Sequence, residues 1–255
     1  MIRMKQGDFP IITGPSWPGV SYFCSTRQGG VSQPPWDTLN VGLHTGDHPA
    51  HVEQNRRRVA PAAGPVVWLD QVHGTDVLDA DADSAGQGVA VQADAAITSR
   101  VDRVLAIMVA DCLPVVMGSE DGLLIGVAHA GWRGLAAGVL ENTLHQLQAR
   151  HPEQKRAQWR AWIGPGISQR HFEVGDEVRR RFMEADPQTA RFFRSGKPAK
   201  WMADLPGIAR HRLKQAGIHR VDVSALCTAD RPDLFFSYRR DGVTGRQVVF
   251  AWRNP

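Results

Sequence analysis

The chain has 255 residues, 42% of them hydrophobic and 22% charged, a composition that excludes a disordered chain or a long coiled coil and suits one globular domain spanning 1–255. Its formal net charge of +4 is carried mostly by scattered arginines. That pattern excludes a basic nucleic-acid arm and is compatible with small anionic substrates. No apolar run approaches the roughly 20 residues of a membrane helix, and the N-terminal MIRMKQGDFP lacks the apolar core of a secretory signal. Three widely spaced cysteines, an odd count, do not suit a disulfide scaffold. Reduced thiols in a cytoplasmic setting are expected, with neither nucleic acid nor membrane as partner.

In chain order, Ser25-Thr26-Arg27-Gln28-Gly29-Gly30 comes first. Backbone N–H groups beside a guanidinium fork suit an oxyanion, although the Gly-Lys-Ser/Thr ending of a P-loop is missing. His44, His48 and His51 form an H-x3-H-x2-H set in a polar turn over 42–51, of which His48 and His51 read as solvated loop. Residues 66–69 read as a strand, followed by Gln71-Val72-His73-Gly74. The Ala/Gly/Asp-rich stretch 79–89 reads as an exposed turn. Strands are expected over 104–109, 113–117 and 123–128, the last two joined by a turn at 118–122. Ala110-Asp111-Cys112-Leu113-Pro114 links the first two of these.

His129-Ala130-Gly131-Trp132-Arg133-Gly134 then stands where a strand gives way to a helix over 134–150. Leu135, Val139, Leu140, Leu144 and Leu147 share one face of that helix, and Pro152 stops it. Further helices are expected over 175–184 and over 205–215, the latter capped by Gly217. Strands at 234–238 and 247–252 follow, joined by a turn at 241–245. Helices interspersed among strands make this a mixed α/β or α+β fold.

Three segments place a metal-type donor at a strand end beside glycine or proline: His73, Cys112 and His129. Two imidazoles and a thiolate suit zinc, and three protein ligands with an open fourth position is the pattern of a catalytic site. Spacing alone leaves the alternatives open. Cys112 also reads as a small buried apolar residue, and His129 as a strand-end histidine bonded to backbone. Cys24 and Cys227 read as ordinary thiols, and Asp102 and Asp121 as turn residues. Arg133 stands beside His129 and could add charge there.

Taken together these segments closely resemble the YfiH family, also called the laccase-domain, polyphenol oxidase or peptidoglycan-editing-factor family. The matching pieces are Ser25-Thr26-Arg27-Gln28-Gly29-Gly30-Val31-Ser32, Leu39-Asn40-Val41-Gly42-Leu43-His44, Asn55-Arg56-Arg57, Gln71-Val72-His73-Gly74 and Ala93-Asp94-Ala95. They continue with Ala110-Asp111-Cys112-Leu113-Pro114, His129-Ala130-Gly131-Trp132-Arg133-Gly134, Phe172-Glu173-Val174-Gly175, Asp204-Leu205, Cys227-Thr228 and Phe235-Phe236-Ser237-Tyr238-Arg239-Arg240-Asp241-Gly242. One departure stands out: the family usually reads Gly-Pro-x-Ile-Gly-Pro where this chain has Gly164-Pro165-Gly166-Ile167-Ser168-Gln169.

The resemblance implies sheets packed inside flanking helices, similar to certain cysteine-hydrolase-like toxins, and zinc on His73, Cys112 and His129. It implies purine nucleoside chemistry: phosphorolysis of adenosine, inosine, guanosine and methylthioadenosine, and deamination of adenosine. Zinc would activate water against C6, with Asp111 as a candidate proton shuttle. Arg27 is the expected phosphate binder, and Gln71 and Arg133 are expected at the substrate. Two rivals follow from the family's other names. One is a copper oxidase with Met108 or Met117 as axial ligand, against which stands the lack of any His-x-His pair. The other is a cysteine or metal amidohydrolase acting on peptidoglycan precursors, with Cys112 as nucleophile.

Overall fold

A computed structural model describes residues 2–4, 9–82, 90–150 and 158–255; most of the turn expected over 79–89, and Pro152, lie outside the described residues. Two six-stranded sheets face one another. The first runs Ile2–Met4, Pro10–Ile12, Val20–Ser25, Gln247–Arg253, Val104–Val109, Val66–Val67. The second runs Arg220–Val223, Trp159–Ile163, Leu113–Ser119, Ile125–Ala130, Ala95–Thr98, Val77–Asp79.

Period-two alternation explains why the central strands are apolar on every residue. Along Val104–Val109, Leu105, Ile107 and Val109 point between the sheets, where they meet Val116, Ile125, Val127 and Trp162. Val104, Ala106 and Met108 point the other way, beneath Phe9, Leu39, Val41 and Val59. On the outer face of the second sheet, Val115, Met117 and Ala128 pack with Leu140, Leu144 and Leu147 of the helix Val139–Arg150. Ile208 and Leu213 of the helix Leu205–Gln215 join the same cluster. The result is an α/β fold in which helices cover the outer face of the second sheet, while loop residues and the end of the helix Pro49–Val59 cover that of the first.

The helix expected over 134–150 is two helices, Trp132–Ala137 and Val139–Arg150. Gly138 sits between them in the left-handed region at φ 103° and redirects the chain. The last three residues of the expected 42–51 turn open a helix, Pro49–Val59, with Pro49 at its first position. Only Val52, Asn55 and Val59 of that helix are buried, so its polar, arginine-rich sequence hid it.

Residues 234–238 are not a strand. Phe235 and Phe236 are buried, but the Gln247 side chain takes the place of a neighbouring strand. Its Oε1 accepts from Phe236 N at 3.0 Å and its Nε2 donates to Phe236 O at 3.3 Å. One amide thereby satisfies a buried backbone that an aromatic run alone suggests needs a ladder.

The antiparallel pair Leu113–Ser119 and Ile125–Ala130 positions the site. Its register sets Leu113 opposite Ala130 and Pro114 opposite His129. The residue just before one strand and the penultimate residue of the other therefore emerge at the same sheet end.

Candidate active site

His73, Cys112 and His129 converge at that end, with one donor atom of each within 4.8 Å of the others. His73 Nε2 lies 3.8 Å from Cys112 Sγ, and the two imidazole rings meet edge-on with centroids 4.7 Å apart. His129 belongs to the strand Ile125–Ala130. Cys112 closes the bend between the strands Val104–Val109 and Leu113–Ser119. His73 follows the short strand Leu69–Asp70, which pairs in parallel with Val91–Gln92.

Asp94, marked in the sequence only as the centre of the matching piece Ala93-Asp94-Ala95 and not as a site residue, assembles the site. Its carboxylate is fully buried. It accepts from the backbone N–H groups of Val72 at 3.1 Å, His73 at 2.9 Å and Gly74 at 2.6 Å. Its Oδ1 also lies 2.8 Å from His129 Nδ1. One carboxylate thus fixes the His73 loop and the ring of His129 together, leaving Nε2 of His129 for the site. A carboxylate behind a ligating histidine is the usual outer support of a metal site, and the signal for it is the need of a buried imidazole for an acceptor.

Backbone geometry is equally specific. His73 and Asp111 occupy the left-handed region at φ 63° and 97°, a conformation uncommon outside glycine. Gly131 must be glycine for lack of room: a Cβ there would stand 2.8 Å from His73 Cδ2 and 3.0 Å from Cys112 Sγ.

The electrostatics favour a thiolate. Burial pushes the Cys112 thiol up, but the charge of His129 and hydrogen bonds from His129 and His73 overcome it and bring it down to about 6. Burial pushes His129 down, and the Cys112 thiolate and the bond to Asp94 outweigh it, raising the imidazole to about 9. A thiolate and two imidazoles, one held by a buried carboxylate and both closing on a point cleared by Gly131, fit a zinc-type cation.

Beside this floor lies a cavity of about 780 Å³. It is walled by His44, Trp132, Ile167 and Phe172, with Arg133, Lys200, Tyr238, Arg239 and Arg246 also on its lining. His44, which the sequence places in a polar turn, thus faces the cavity. Burial and the neighbouring charges of Arg246 and Arg56 hold its imidazole below the ordinary value of 6.5. Arg246 is half-buried and spends one nitrogen on the carbonyls of Thr244 at 3.2 Å and Gly245 at 3.0 Å. Among the described residues no carboxylate pairs with it.

The other expected residues fare differently. Arg27 lies off the cavity lining. Its Nε donates to Asp37 O at 2.8 Å and one Nη to Pro232 O at 3.1 Å, the other Nη pairs with Asp37 Oδ1 at 3.2 Å, and the guanidinium covers the Phe236 ring. It fastens loops together and faces no substrate space. Gln71 is on the lining, but its amide is closed on the backbone of Met108, donating to the carbonyl and accepting from the N–H, both at 2.8 Å. Arg133 is on the lining and exposed, its guanidinium over Trp132.

Asp111 lines the cavity, yet both its oxygens are engaged. Oδ1 accepts from Thr228 Oγ1 and Oδ2 from Arg239 N, each at 2.6 Å. It stands in a bend, outside the strands, so strand alternation does not set its direction. Met117 is buried in the cluster beneath the helices, and Met108 Sδ is turned to Arg56 at 3.5 Å.

Residues 21–254 match the model of the family described as multi-copper polyphenol oxidoreductase laccase. The chain is 46% identical to purine nucleoside phosphorylase YfiH of Escherichia coli over 93% of its own length and 97% of that protein's. It is 44% identical to a purine nucleoside phosphorylase of Xylella fastidiosa over 97% and 99%. Among solved structures, a Neisseria meningitidis protein superposes with a TM-score of 0.89 at 39% identity, covering 97% of this chain and 99% of the other. A YfiH protein of Bacillus licheniformis superposes with a TM-score of 0.90 at 32% identity, covering 99% of each.

Proposed function

The chain belongs to the laccase-domain family that includes the YfiH proteins, and from that premise we propose that it is a zinc-dependent purine nucleoside phosphorylase that also deaminates adenosine. The observation that carries the reading is the convergence of His73, Cys112 and His129 beside a cavity whose lining includes Arg246, which no carboxylate pairs with among the described residues. A volume of about 780 Å³ is within the usual range of about 300–1,000 Å³ for small-molecule sites.

A zinc ion held by His73, Cys112 and His129 would supply Lewis acidity at the cavity floor. The protein's own groups do the rest. Asp94 holds the His129 tautomer and the His73 loop, so the donors need no reorganisation. Arg246, with nitrogen atoms left over from its carbonyl bonds, offers a fork for phosphate. His44, kept neutral by its surroundings, can hold or pass one proton beside it. Phe172, Trp132 and Tyr238 give the purine flat apolar faces.

In phosphorolysis a phosphate oxygen forms a bond to C1′ of the ribose as the C1′–N9 bond breaks. The electron pair leaves with the purine, which takes up a proton, and ribose 1-phosphate results. In deamination water adds at C6 of adenosine and ammonia departs. Asp111, with both oxygens engaged, positions the Cys112 bend in this scheme, and Arg246 takes the phosphate role expected of Arg27. Three free cysteines suit a reducing compartment such as the cytoplasm.

The test supplies adenosine or inosine with and without phosphate. Free base and ribose 1-phosphate are expected only with phosphate, and inosine from adenosine in its absence. Chelation should stop both reactions and zinc restore them. Zinc-loaded protein that forms none of these products overturns the reading. The lowered Cys112 thiol favours one second reading, a thiol hydrolase, which a chelator would spare or enhance.

A further inference from the structure

We propose that His171, Cys227 and Asp230 form a second divalent-cation site, of the zinc class, that clips one wall of the cavity to the segment behind it. One donor atom of each residue lies within 4.8 Å of the others. The donors come from two segments already tied by backbone bonds, Gly166 N to Leu226 O at 3.3 Å and Thr228 N to Gly166 O at 3.0 Å. His171 sits in a turn in which its N–H and that of Phe172 both donate to Ser168 O, at 3.0 and 3.1 Å. His171 Nε2 is 2.5 Å from Asp230 Oδ1, and the buried Cys227 Sγ accepts from Ser168 N at 3.3 Å.

Thiol, imidazole and carboxylate together select a borderline cation such as zinc over magnesium or calcium, which take oxygen donors. Metal–donor bonds of about 2.0–2.3 Å set tetrahedral donors about 3.3–3.8 Å apart, so the three side chains need only small shifts to share one ion. Ser168 Oγ, on the residue whose N–H meets Cys227, is buried without a hydrogen-bond partner among the described residues. Arg170 pairs with the other Asp230 oxygen, Oδ2, but its side chain is 76% exposed and free to withdraw into solvent.

The position gives the clip its consequence. The turn carrying His171 runs directly from Ile167 to Phe172, two residues on the cavity lining. On the other side, Thr228 donates to Asp111, the residue next to Cys112. A cation bridging the two segments would brace the cavity wall without entering the cavity. This does not depend on what the cavity binds.

Cobalt(II) titration of the full-length Cys112→Ser variant tests the proposal, since it removes the first site's thiolate and leaves the second intact. One equivalent should bind with thiolate-to-cobalt charge-transfer absorption. Cys112→Ser/Cys227→Ser should lose that absorption. Cys112→Ser/His171→Ala, altered at an exposed position and so expected to fold, should bind at least tenfold more weakly. Absence of the absorption in Cys112→Ser, or its survival without Cys227, overturns the proposal.

Discussion

The floor formed by His73, Cys112 and His129 and the loop holding Arg27 both look chemically reactive as sequence, yet the fold treats them oppositely. At the floor a single buried carboxylate absorbs one nitrogen of His129 and the N–H groups around His73, leaving Nε2 and Sγ atoms pointing at one another. At the loop the protein itself consumes the guanidinium: Asp37, Pro232 and the Phe236 ring take its donors and its face. A functional polar group here is one whose neighbours orient it without using it up. Arg246 and Arg27 repeat the contrast between two arginines, one bonded through a single guanidinium nitrogen and the other through all three.

The largest effect that would break this comparison is at the floor. Cys112→Ala or His129→Ala should remove measurable turnover and the first equivalent of zinc, read by metal analysis and product formation. A variant that keeps both would make the floor scaffolding. Asp94→Asn comes next. It keeps the size of the side chain but loses the charge that fixes His129, and should weaken zinc by about 10- to 100-fold, measured by competition with a chromophoric chelator. Gly131→Ala should act in the same direction, since the added methyl meets His73 and Cys112 directly.

Arg246→Met should raise KM for phosphate by about tenfold or more, the loss of about 1.5–3 kcal/mol from a charged hydrogen bond, with adenosine deamination little changed. Arg27→Ala should leave that KM alone and lower Tm, at a cost of about 1–2 kcal/mol from its lost bonds to carbonyls. If the two arginines exchange these outcomes, the contrast between them is wrong. The gentlest probe is alkylation of Cys112 in metal-free protein. Its rate should rise with pH about a midpoint near 6, where an ordinary thiol would show 9.0. Zinc should suppress the reaction.

The fold was legible where burial on two faces leaves a continuous apolar run, as in Val104–Val109, and where punctuation is strong, as at the helix Leu205–Gln215 before Gly217. It was not legible where a side chain substitutes for a strand. Phe235-Phe236 reads as sheet because the amide of Gln247, eleven residues on, is invisible to local pattern. The helix Pro49–Val59 escaped because only one narrow stripe of it is buried. At the site, the three donors were named from the resemblance, since spacing left them ambiguous. Asp94 was missed as an orienting group because a lone aspartate between alanines carries no periodic signal. His44 was missed because its neighbours are turn-formers.

The hairpin register has a further consequence. Cys112 and His129 are brought together by rungs of the ladder, Pro114 against His129 and Leu113 against Ala130, while the chain between them runs out to the turn past Ser119 and back. Residues added or lost at that distant turn would alter the count between the two donors and leave their separation untouched. A slip of the ladder by two residues would keep the count and carry them about 7 Å apart. The hairpin works as a ruler measured across strands, which is why no fixed number of residues between cysteine and histidine announces this site.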